Sequence, residues 1–93
     1  MSQEEILEKL REGPHRYLGV IKVIPKTAEG FCSGQMVDWN PGVKSLPFVD
    51  ATGPFCVLLA VSTSDYDEQI IIADKNGNPV PLHPSFFSLA SSG

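Results

Sequence analysis

The sequence predicts an α+β fold: one short N-terminal helix packed on a small antiparallel sheet, or partly closed barrel, of roughly four to six strands. Three observations predict it. The first dozen residues carry one capped, amphipathic helical pattern. Beyond them the apolar residues come in β-branched runs of strand length. Two of those runs are joined by Asn76-Gly77, the dipeptide that supplies the positive φ angles of a tight hairpin.

The helix spans residues 3–12. Ser2-Gln3-Glu4-Glu5 is a capping box, in which Ser2 and Glu5 satisfy each other's free backbone donors. Glu4 and Glu5 sit at the positive end of the helix dipole, Lys9 and Arg11 at the negative end. Gly13-Pro14 stops it. Ile6, Leu7 and Leu10 share one face, and so small a stripe cannot hold an isolated helix. The helix must lie on the sheet.

Strands are predicted over Tyr17–Ile24, Gln35–Trp39, Phe55–Val61, Gln69–Ala73 and Pro79–Leu82. Phe55–Val61 is one continuous apolar run, as expected of a strand buried on both faces. Lys26 to Gly30, Asn40-Pro41-Gly42 and Thr52-Gly53-Pro54 are turns. The stretch Val43–Asp50 reads as a strand or as a long loop. Pro79 and Pro81 lie two apart, so both missing N–H groups fall on one side, and Pro79–Leu82 is an edge strand closed to further pairing. No internal repeat or low-complexity segment interrupts the chain.

A chain of 93 residues makes one domain, residues 1–93, with one modest core. Charged residues are 19% of the total, fewer than the usual quarter, which points to an oligomer or a subunit of a larger complex. Net charge is −4 with no basic run, which argues against nucleic acid and anionic membrane as partners. No apolar stretch reaches the roughly 18–20 residues of a membrane span. The acidic N-terminus does not resemble a secretory signal, so a cytoplasmic location is expected. Cys32 and Cys56 are then expected as free thiols, although their number alone also allows one disulfide.

Gly30-Phe31-Cys32-Ser33-Gly34 has the G-x-C-x-G form of a nucleophile elbow, which presents a catalytic side chain between a strand and a helix. Here turn residues precede it and a short strand follows, so Cys32 reads as a small half-buried thiol. A cysteine enzyme using Cys32, with His15 or His83 as base, is the most distant of the functional readings. No catalytic residue is assigned. Asp74-Lys75-Asn76-Gly77-Asn78 begins like a calcium loop, but Pro79 and Ser85 stand where glycine and a bidentate glutamate are needed. Asp65-Tyr66-Asp67-Glu68 reads as a solvated acidic loop. No metal or cofactor is assigned. Trp39, the single tryptophan, is either a stacking platform for a ligand or a core residue with its indole N–H bonded at the rim. Phe86-Phe87 either fold onto their own sheet or form an interface patch.

Three segments bear a resemblance to a known family. A short helix over Glu4–Gly13, a hairpin over Ile71–Leu82 and a polar–apolar tail over Ser85–Ala90 resemble the small phage proteins of the Thoeris anti-defence 2 group. The resemblance covers about a third of the chain and implies sequestration of a nucleotide-type immune signal. The Gly-Trp-Asn-Gly segment that follows the helix in that family is absent; His15-Arg16-Tyr17 stands near its place, and no ligand-binding residue carries over.

The leading expectation is a non-enzymatic binding or assembly module that associates with itself or with a protein partner. Phe86, Phe87 and Leu89 are the candidate interface residues, acting through side chains because Pro79 and Pro81 block strand addition. The alternative is a protein that sequesters a small-molecule ligand, with Trp39, Tyr17 and Arg16 as candidate contacts.

Overall fold

Ile70, Ile71 and Ile72 are consecutive, and all three are fully buried. Successive strand residues point to opposite faces, so a strand that holds them must be covered on both sides. The structure, a computed structural model, describes residues 2–90 and contains both covers. In chain order the elements are α1 (Gln3–Glu12), β1 (Ile21–Ile24), β2 (Met36–Trp39), β3 (Phe55–Cys56), β4 (Leu59–Thr63), β5 (Asp67–Ala73), β6 (Pro79–Leu82), a 3-10 turn (Pro84–Phe86) and β7 (Phe87–Leu89). They form a four-stranded sheet of order β1-β4-β5-β6 and a three-stranded sheet of order β3-β2-β7, both antiparallel and not closed into a barrel.

The register sorts the side chains. Leu59 lies opposite Ile71, and Val23 opposite Val61, on the face that meets the helix through Ile6 and Leu10. Ile70 opposite Leu82 and Ile72 opposite Val80 point the other way. They pack with Val37, Phe55 and Phe87 of the three-stranded sheet and with Phe31 and Val49 from loops. The result is helix, sheet, sheet, with β5 between two cores.

The helix starts and stops by local chemistry. The Ser2 hydroxyl accepts the Glu5 N–H at 3.3 Å, and the Gly13 N–H bonds the Lys9 carbonyl at 2.8 Å. The hairpin between β5 and β6 forms at Asn76-Gly77, but as a three-residue loop rather than a two-residue turn: of that pair only Gly77 has positive φ, at +83°, its N–H bonds the Asp74 carbonyl at 3.0 Å, and the Asp74 N–H closes the loop on the Asn78 carbonyl at 2.9 Å. That bond fixes the alternation along β6. Val80 and Leu82 turn their amides to β5, and Pro79 and Pro81 face outward at the sheet edge.

Two strand expectations are corrected, and one open alternative is decided. Phe55–Val61 is not one strand. Val57 bonds Gln35 in the three-stranded sheet, whereas the Leu58 N–H bonds Ile71 in the four-stranded one. The chain changes sheets at that point, as strands do at the corner of two crossed sheets. The predicted strand Tyr17–Ile24 is regular only over Ile21–Ile24, because the chain bends at Gly19. The stretch Val43–Asp50 is a loop. It is held by the Lys75 N–H on the Phe48 carbonyl at 3.0 Å and by the buried Val49. Cys32 and Cys56 are free thiols.

Candidate functional site

The segment that joins α1 to β1 is built from alternating anchors. His15 turns inward. Its ring lies 4.3 Å from that of Phe48, and its Nε2 is 2.7 Å from Asp74 Oδ2. The other oxygen, Asp74 Oδ1, accepts the N–H groups of Asn76 and Asn78, both at 2.8 Å. Burial opposes charge on Asp74, but the Asn78 N–H, His15 and the Asn76 N–H outweigh it and hold the carboxyl below its usual range. An ionised carboxylate only accepts, so Nε2 of His15 carries the proton in this contact. One side chain thereby ties the helix exit, the hairpin turn and the loop at Phe48 together.

Two residues on, Tyr17 is the second anchor. Its hydroxyl is 3.1 Å from Ser64 Oγ and accepts the Asp65 N–H at 3.0 Å. Its ring covers Gly19 so closely that a Cβ there would lie 2.6 Å from a ring carbon. Arg16, Leu18 and Val20 alternate with these anchors and face solvent. Leu18 is 86% exposed and Val20 75%. Single exposed apolar residues are ordinary on a protein surface. Here two lie just before an edge strand, in a segment whose neighbours are pinned.

β1 has one neighbour, β4, and among the described residues nothing pairs with its other side. The Ser64 N–H bonds the Val20 carbonyl at 3.3 Å. By strand alternation Val20, Lys22 and Ile24 turn their amides toward β4, and Ile21 and Val23 turn theirs outward. The four-stranded sheet thus has one edge closed by prolines and one edge with free donors and acceptors.

The remaining candidates lie elsewhere. Trp39 ends β2 and packs, half-buried, against the core: it stacks on Phe87 at 4.7 Å, meets Phe55 edge-on at 5.7 Å and donates its indole N–H to the Asp50 carbonyl at 3.0 Å. Its aromatic and hydrogen-bond partners differ from those of Tyr17, and among the described residues none of these contacts joins Trp39 to Tyr17 or Arg16. Phe87, a candidate interface residue, is only 3% exposed and fills the core between Trp39 and Phe55. Strand parity explains this: Phe87 pairs with Trp39 on the inner face of the three-stranded sheet. Phe86 and Leu89 remain partly exposed, at 37% and 53%.

Cys32 sits in a loop between β1 and β2, with no strand running directly into it and no helix leaving it. Both histidines bond elsewhere, His15 to Asp74 and His83 to Ser85. Asp74 spends its oxygens on the turn and on His15, and Glu68 accepts the Ala28 N–H at 2.9 Å. Among the described residues no cluster of His, Cys, Asp or Glu is suited to a metal ion, and no helix is long and apolar enough to cross a membrane.

Sequence reasoning missed two features. The His15–Asp74 contact joins residues with no spacing signal, although an aspartate opening an Asn-Gly turn does point to an Asx-type bond. The free edge of β1 had a signal in Lys22, since a lysine inside an apolar strand is a common edge marker. Comparison with family models, curated proteins and solved structures gives no match.

Proposed function

We propose that this protein is a non-enzymatic assembly module that engages another polypeptide along the outer edge of β1. The observation that carries the reading is the pairing of an open strand edge with the pinned, outward-facing Leu18 and Val20. An added strand gains main-chain hydrogen bonds from Ile21 and Val23, and its side chains cover apolar surface. Burying a leucine and a valine side chain contributes about 1.5–3 kcal/mol each. The low charge of the chain is consistent with a surface partly covered by a partner.

The test is site-specific photocrosslinking in cells that produce the protein. A photoreactive residue replaces Leu18, and, as control, Glu8 on the exposed side of α1. The expected result is one adduct of defined mass from position 18, with its own copy or with one other protein, and none from position 8. Equal labelling from both positions, or none from position 18, refutes the reading.

A further inference from the structure

We propose that the strand added to β1 is β1 of a second copy, paired antiparallel about a two-fold axis with Ile21 opposite its own counterpart. This rests on the reading of the β1 edge given above and names its occupant. The two four-stranded sheets then run into one another across the axis.

The free amides decide how such a pair can form. Ile21 and Val23 turn their N–H and C=O groups outward, and the proposed pairing extends that alternation one step past the regular strand, to Gly19. Pro25 is the next outward position and has no N–H, so the ladder stops at Val23. With Ile21 opposite Ile21, Gly19 faces Val23 of the second copy on either side of the axis, and every outward amide from Gly19 to Val23 finds a partner. Lys22 is the one charged residue between Tyr17 and Ile24. In this register it stands opposite Val20 of the second copy, in a close, non-hydrogen-bonded position where its methylene stem covers the exposed valine.

Neighbouring registers are worse. Centring on Lys22 sets two like charges directly opposite each other and puts Pro25, which has no N–H, opposite the Gly19 carbonyl. Centring on Val20 carries the ladder through the Gly19 bend to Tyr17, whose side chain is committed to Ser64 and Asp65. The assembly also closes. The two-fold axis uses each β1 edge once, and the opposite edge of each sheet ends in Pro79 and Pro81. The product is a dimer rather than a growing ribbon.

The experiment is sedimentation equilibrium on the purified protein at about 150 mM salt, where distant charges are screened but adjacent ones are not. Three variants change only exposed side chains at positions 20 and 22, and circular dichroism confirms that each folds. The wild type is expected to dimerise at micromolar to high-micromolar concentration. Val20→Lys places lysine opposite Lys22 on both sides of the axis and weakens the dimer about tenfold or more. Val20→Glu forms the opposite-charge pair and leaves the dimer as tight or tighter. Val20→Lys combined with Lys22→Glu restores it. A dimer that ignores all three variants overturns the β1 contact, and equal weakening by Val20→Lys and Val20→Glu overturns the register. A wild type that is monomeric at high micromolar concentration overturns the second-copy occupant. In that case a position-18 crosslink to a different protein preserves the assembly reading, and no crosslink removes both.

Discussion

Replacing Phe87 with alanine separates a core role from an interface role for the C-terminal phenylalanines. Phe87 is almost fully buried, with its ring 4.7 Å from that of Trp39 and 6.1 Å from that of Phe55. Truncation removes the apolar burial of the ring and leaves a cavity, which for a buried phenylalanine costs about 3–5 kcal/mol. The lost aromatic pairs account for roughly 0.5–1.5 kcal/mol per pair within that cost. A domain of this size is stable by about 5–15 kcal/mol, so Phe87→Ala removes a large fraction of the total. Phe87→Leu keeps most of the volume and should cost clearly less. Phe86→Ala, one residue away but facing outward, should cost about 1 kcal/mol or less. Urea unfolding followed by tryptophan fluorescence is a direct assay, because the single tryptophan touches Phe87. Circular dichroism supplies a second probe of the same transition. If Phe86→Ala destabilises more than Phe87→Ala, or Phe87→Ala costs under about 1 kcal/mol, the core assignment is wrong.

The carboxyl of Asp74 lies below its ordinary value of 3.8 in the folded protein, so the folded state binds fewer protons than the unfolded state. Its stabilisation is therefore complete above that ordinary value and is lost as pH falls through the lower folded value. Asp74→Ala should cost about 1–3 kcal/mol at pH 7, and the gap between wild type and variant should narrow as pH falls below about 4; denaturant titrations at stepped pH measure it, and a gap that widens in acid contradicts the contact. Gly77 at φ +83° tolerates no β-branched side chain, so Gly77→Val should lower stability by about 1–3 kcal/mol in thermal melts; an unchanged melting temperature would remove the turn assignment.

What the sequence determined by itself is local. The bounds of α1 follow from Ser2, Glu5 and Gly13-Pro14, because capping groups act within one turn of the helix they close. The β5–β6 hairpin follows from Asn76-Gly77, and its protected edge from Pro79 and Pro81, since a missing N–H acts at its own residue. What the tertiary structure decided is sidedness and neighbourhood. Phe86 and Phe87 are chemically identical, and only the pairing of Phe87 with Trp39 sends one inward and leaves the other outward. The run Phe55–Val61 is uniformly apolar whether it stays in one sheet or crosses between two, and the partners Gln35 and Ile71 make it cross. The same limit hides the candidate site. Leu18 and Val20 look like strand interior until His15 and Tyr17 find Asp74 and Ser64, contacts that span 59 and 47 residues. Side-chain direction in a strand reverses with each residue, so a long-range partner that shifts the register by one position exchanges surface for core.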